Sequence, residues 1–105
     1  MGNKAHTATL NRICTRYGFT PSDSEDHDIK AEGIIIDVET SSSVGQAVDR
    51  LKELEGPVYI AITNNEGLRF VKEKVAGTHI GVMDPRGNVV VPSGTHEIAM
   101  GADSP

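Results

Sequence analysis

Two acids flank a valine at the end of an isoleucine run, Ile34-Ile35-Ile36-Asp37-Val38-Glu39. Side chains along an extended backbone alternate between faces, so Asp37 and Glu39 project from the same side. They sit within an acidic centre: residues 21–55 hold ten acids, Asp28 among them, against Lys30, Arg50 and Lys52. Residues 1–20 instead hold Lys4, Arg12 and Arg16 and no acid. An acidic centre can hold a divalent metal, and a basic lead-in can touch phosphate. Solvated surface charge is the competing explanation, because acids at strand ends are common on plain solvent-facing rims.

The elements that must position these groups follow from apolar periodicity. The chain has 105 residues, 37% of them hydrophobic and 24% charged, which suits one packed domain. With Tyr17, Phe19, Tyr59 and Phe70 as its only aromatics, its core must be aliphatic. Leu10, Ile13, Cys14 and Tyr17 form one stripe of a helix over 4–17, stopped by Gly18. Phe19-Thr20 is a candidate short edge strand, 21–27 a polar loop and 28–32 a short strand. The β-branched run 34–39 reads as a central strand. Ser43 is the expected N-cap of the next helix, with Gln46 as its capping-box partner. Val44, Ala47, Val48, Leu51 and Leu54 then share a helical face over 44–55. A strand over 58–63, a helix over 66–75 capped by Asn64 or Asn65, and a strand over 79–83 follow. The turn Asp84-Pro85-Arg86-Gly87-Asn88 leads into a returning arm over 88–91. Strands separated by helices imply crossovers and a largely parallel centre. The domain is expected to span 1–92, with 93–105 a flexible tail.

This order, and particular segments within it, resemble the core of the PD-(D/E)XK (restriction-endonuclease-like, Holliday-junction-resolvase-like) nucleases. Asp28-Ile29 matches that family's Asp-apolar step, with His27 where Pro is usual. Asp37-Val38-Glu39 matches its acid-x-Lys tripeptide, with Glu39 in the lysine's place. The runs Gln46–Leu51, Pro57–Ile62 and Ile80–Val89 are similar to the core's second half. The resemblance covers roughly residues 2–92 and rests on an ordered set rather than on one specific motif. It implies an α/β fold with a mixed central sheet of about five strands flanked by about three helices. It also implies Mg²⁺-dependent (or Mn²⁺-dependent) DNA cleavage and a homodimer. Asp28 and Asp37 would be metal ligands, joined by Glu39 as ligand or water orienter and by the Val38 carbonyl. The ion would activate water and offset charge on the phosphate. Lys4, Arg12, Arg16 and Gln46 would contact nucleic acid, although Gln46 has its capping role as a rival. Glu39 cannot supply the lysine's positive charge, which leaves Lys30 or Arg50 to do so, or a different metal count, or lost catalysis. Where related first helices carry a Glu, this one offers only Asn3, His6 and Asn11.

Other chemistries have less support. The single cysteine, Cys14, makes no internal disulfide and reads as a small buried hydrophobe. His6, His27, His79 and His96 show no zinc spacing; His27, beside Asp28, is the one near the acids, where a histidine could contact phosphate or transfer a proton, but it reads more simply as an exposed loop residue. No glycine-rich phosphate loop joins a strand to a helix. Asp37-Val38-Glu39 also resembles the first motif of DnaQ-type exonucleases, but a helix follows at once where antiparallel strands should. No apolar run approaches the roughly 20 residues of a membrane helix and no signal peptide opens the chain, so a cytoplasmic protein is expected. The alternative to an enzyme is a catalytically degenerate nuclease fold that binds nucleic acid or a protein partner.

Overall fold

The computed structural model describes residues 4–23, 27–31 and 33–94. It is an α/β domain with three α-helices and a five-stranded mixed sheet. The elements are α1 (Lys4–Tyr17), β1 (Ile29–Ala31), β2 (Ile34–Glu39), α2 (Val44–Leu51), β3 (Val58–Ile62), a 3-10 turn (Asn65–Gly67), α3 (Leu68–Val75), β4 (Gly81–Met83) and β5 (Val89–Val91). The strands lie in sequence order, β1-β2-β3-β4-β5. β2, β3 and β4 are parallel, while β1 and β5 are antiparallel to their neighbours. The expected parallel centre and α/β architecture are therefore present. Among the described residues no helix is long and apolar enough to cross a membrane.

The sheet is covered on both sides, as its β-branched strands require. Ile13 and Cys14 of α1 pack with Ile29, Ile36, Val38, Ala61 and Met83 on one side. On the other, Val44, Ala47, Val48 and Leu51 of α2 and Val71 and Val75 of α3 pack with Val58, Ile60, Ile62 and Val82. Period-two alternation thus puts Ile36 and Val38 under α1, and Ile35 and Asp37 toward α2. Tyr59 lays its ring over its register partner Gly81. A Cβ there would stand 2.5 Å from the ring and 2.7 Å from the Ser93 amide nitrogen, so this crossing needs glycine.

Several local expectations are revised. Phe19-Thr20 is not a strand; Phe19 donates its N–H to the Cys14 carbonyl and completes the end of α1, past Gly18 at φ +73°. Ser43 precedes α2 but makes no side-chain cap, and its hydroxyl instead closes a tight turn onto the amide and carbonyl of Thr40. The turn consumes the capping oxygen, so Ser43 and Gln46 form no capping box. Asn64, by contrast, caps as expected, accepting the Glu66 N–H at 2.6 Å. Most of the expected tail lies outside the described residues. Its first two residues, Ser93 and Gly94, are buried and hydrogen-bonded to the His79 carbonyl.

The β4–β5 turn is an anchor for α1. Tyr17 donates its hydroxyl to the Gly87 carbonyl at 2.6 Å, Arg12 reaches the Pro85 carbonyl, and Arg16 reaches the Arg86 carbonyl and the Asn88 side chain. Asp84 braces the turn by accepting the N–H groups of Arg86 and Asn88. Burial alone would raise its carboxyl, but the Asn88 and Arg86 hydrogen bonds and the Arg86 charge outweigh it and hold the pKa below the usual aspartate value. A lowered folded pKa means stability that is present above the ordinary aspartate value and lost as pH falls through the folded one. Asp84→Asn is therefore expected to unfold more easily than wild type at neutral pH, by roughly 1 kcal/mol or less given solvent screening. The difference should vanish as pH falls through the aspartate range; thermal melts across pH check it, and a difference unchanged by acid would refute the assignment.

Candidate functional site

The hairpin of β1 and β2 determines what meets at the acid corner. Ile29 pairs with Ile36, so Asp28 and Asp37 stand one step further along, opposite each other at the mouth of the hairpin. The Asp28 backbone N–H donates to Asp37 Oδ1 at 3.3 Å, and the Val38 N–H donates to Asp28 Oδ2 at 2.8 Å. Asp37 is the one buried carboxylate among the described residues, 1% exposed. Glu39, two positions on, lies at the end of β2, and together the three acids occupy one corner of the sheet.

Each carboxylate has protein donors. His27 places Nδ1 3.1 Å from Asp37 Oδ1. An ionised carboxylate only accepts, so Nδ1 carries the proton of that bond. His6 of α1 places Nε2 3.1 Å from Asp28 Oδ1. Arg50, in the last turn of α2, sets one nitrogen 3.4 Å from Asp37 Oδ2 and 3.5 Å from Glu39 Oε2. Burial pushes the Glu39 carboxyl above the usual glutamate value; Asp37 and Asp28 add to this, and the Ser43 hydrogen bond and Arg50 only partly offset it. The Cys14 thiol is likewise raised, by burial and then by Asp28, and is no reactive thiolate.

The acids straddle the corner. Asp37 and Glu39 face the α2 side, toward Arg50, whereas Asp28 turns to the edge and to His6 on the α1 side. Hard oxygen donors of this kind suit Mg²⁺ or Mn²⁺. In the arrangement seen, no three His, Cys, Asp or Glu side chains among the described residues are grouped to hold a metal ion. Arg50 supplies the positive charge between Asp37 and Glu39.

The basic candidates lie apart from this corner. Arg12 and Arg16 are engaged with the β4–β5 turn. Lys4 is exposed at the start of α1 and Lys30 on β1. Gln46 is exposed on the first turn of α2, beside Ser42, Lys52 and Lys74 in an open groove of about 530 Å³. Asn11 is exposed, and Asn3 and His96 lie outside the described residues.

Sequence reasoning missed the two histidine–aspartate contacts. His27 is no exposed loop residue: its side chain is 12% exposed. Its place directly before Asp28, across an antiparallel hairpin from Asp37, is a signal that could have found it. His6, 22 residues from Asp28, stands among the polar candidates of the first helix, but nothing in the sequence ties it to Asp28. Comparison with known proteins finds no match among family models, curated proteins or solved structures.

Proposed function

We propose that the chain hydrolyses phosphodiester bonds in DNA with a divalent metal ion, Mg²⁺ or Mn²⁺, in the manner of the PD-(D/E)XK nucleases it resembles. One observation carries this reading. Asp28, just before β1, and Asp37 and Glu39 of β2 gather at one corner with Arg50 as the only arginine or lysine paired with them among the described residues. A corner with surplus negative charge attracts a cation, and an exposed arginine at its rim can meet a phosphate, so nuclease chemistry here calls for a metal beside Arg50. The bound ion would supply an activated water and offset charge on the phosphate. Asp37 and Glu39 would hold it from the α2 side and Asp28 from the edge. His27 and His6 fix the orientation of Asp37 and Asp28, and Arg50 provides the positive charge that Glu39 cannot. The chain would work in the cytoplasm as a homodimer, for which the β5 edge, with Val89 and Val90 exposed, is the natural meeting surface.

A second reading has its own support. Arg50 seated between Asp37 and Glu39 closes the place an ion would use, as expected of a degenerate nuclease fold that only binds nucleic acid or a protein partner. Incubation with single-stranded, duplex and branched DNA, in Mg²⁺ or Mn²⁺ with and without EDTA, separates the two. Cleavage that EDTA abolishes is the expected result. Intact DNA throughout, with salt-sensitive binding, would replace the first reading by the second.

A further inference from the structure

We infer that Arg50 makes phosphate binding and cation binding at the acid corner interdependent: it holds Asp37 and Glu39 until a phosphodiester draws it away, and only then is the place between them open to a divalent ion. The inference rests on the metal-dependent reading of the corner and adds to it an order of events.

The argument starts from how loosely Arg50 is held. A single nitrogen serves both carboxylates, at 3.4 and 3.5 Å, the outer limit of hydrogen bonding. No other hydrogen bond or ion pair holds its guanidinium among the described residues. Its side chain is 50% exposed, against 2% for Asp37 and 12% for Glu39. The acids are anchored, and the cation between them is exposed and held only at long range. Asp37 does not depend on Arg50 for its position, because His27 and the Asp28 N–H also hold it.

A Mg²⁺ or Mn²⁺ ion would bind the same oxygens at about 2.0–2.6 Å. It would then lie within a few ångströms of the guanidinium, and two positive groups so close exclude each other. Arginine has a better partner in phosphate, whose oxygens match its planar fork in a bidentate pair. A phosphodiester at the corner therefore does two things at once: it takes up Arg50 and uncovers two carboxylates for the ion. Such coupling is reciprocal, so DNA tightens the metal and the metal tightens DNA by the same factor.

The test is Mn²⁺ affinity, read by electron paramagnetic resonance of free Mn²⁺, for wild type and Arg50→Ala, each with and without a short DNA duplex after subtracting Mn²⁺ bound by DNA alone. Without DNA, Arg50→Ala should bind Mn²⁺ on the order of tenfold more tightly than wild type. DNA should tighten Mn²⁺ binding to wild type and do so distinctly less for Arg50→Ala, where only the direct attraction between ion and phosphate remains. Arg50→Gln, which keeps a long side chain, should behave as Arg50→Ala does, and melting curves confirm that both are folded. Equal Mn²⁺ affinity in wild type and both folded variants, or equal tightening by DNA in all three, would overturn the coupling and leave the metal reading standing. No Mn²⁺ binding by any form, with or without DNA, would overturn both.

Discussion

Asp37→Asn is expected to lower cleavage by at least about 100-fold while the protein still folds, since even residues that merely support metal ligands cost 10–100-fold when changed. The substitution preserves shape and removes the charge that His27, the Asp28 N–H and Arg50 all address. Hydrogen bonds to a charged acceptor contribute about 1.5–3 kcal/mol each at most, and Asn keeps part of that, so the melting temperature should fall without unfolding the chain at 25 °C. Asp49→Asn is the control. Its side chain is 75% exposed on α2, paired only with Lys52 among the described residues, and such pairs contribute roughly 0–1 kcal/mol. Cleavage rates of the two variants beside wild type decide the matter: a fully active Asp37→Asn would mean that the catalytic groups lie elsewhere or that a contaminant cuts the DNA.

Ile60→Ala should have the largest effect on stability, about 2–5 kcal/mol. Ile60 is fully buried in the middle strand of the sheet, among α2, α3 and its neighbours on β2 and β4. Domains of this kind have roughly 5–15 kcal/mol in total, so the variant should be partly unfolded at physiological temperature. Ile60 is also the register partner of Asp37. The cavity left by truncation therefore opens beside the buried carboxylate, and activity should decline faster than the folded fraction. Ile60→Val should cost only about 0.5–1.5 kcal/mol. Urea titrations of the three proteins give these differences; a loss below 1 kcal/mol for Ile60→Ala would mean that the site collapses freely.

Much of this architecture was legible because pattern and burial agree. The Leu10, Ile13, Cys14, Tyr17 stripe gave α1 over its full length, and the β-branched runs at 34–39 and 58–62 gave the two longest strands. Glycines at 18 and 77 mark helix ends at positive φ, whereas Gly56, also at positive φ, lies well past the end of α2 at Leu51. Ends were less legible. The helix expected to reach residue 55 stops at Leu51, because Leu54 packs against the core from a turn rather than from a continued helix. Ser43 was misassigned because a serine before a helix has two uses for its hydroxyl, and nothing in its neighbours reveals that Thr40 claims it. Convergence of Asp28, Asp37 and Glu39 on one corner followed from hairpin arithmetic. The side each acid faces did not, because that depends on contacts distant in sequence, His6 with Asp28 and Arg50 with Asp37. Likewise, the roles of Arg12 and Arg16 could not be read from charge: their partners, two backbone carbonyls and the Asn88 side chain, lie 70 or more residues away.

The clasp between α1 and the β4–β5 turn bears on how the chain is made. Tyr17, Arg12 and Arg16 find partners 70 to 73 residues downstream. At ribosomal speeds those partners emerge on the order of several seconds after the helix does. Throughout that interval the helix can rest on the nascent hairpin, but its far end has nowhere to latch. A ribosome that stalls before Asp84 would thus display the Tyr17 end of the helix, unlatched, to whatever quality-control factors wait at the exit.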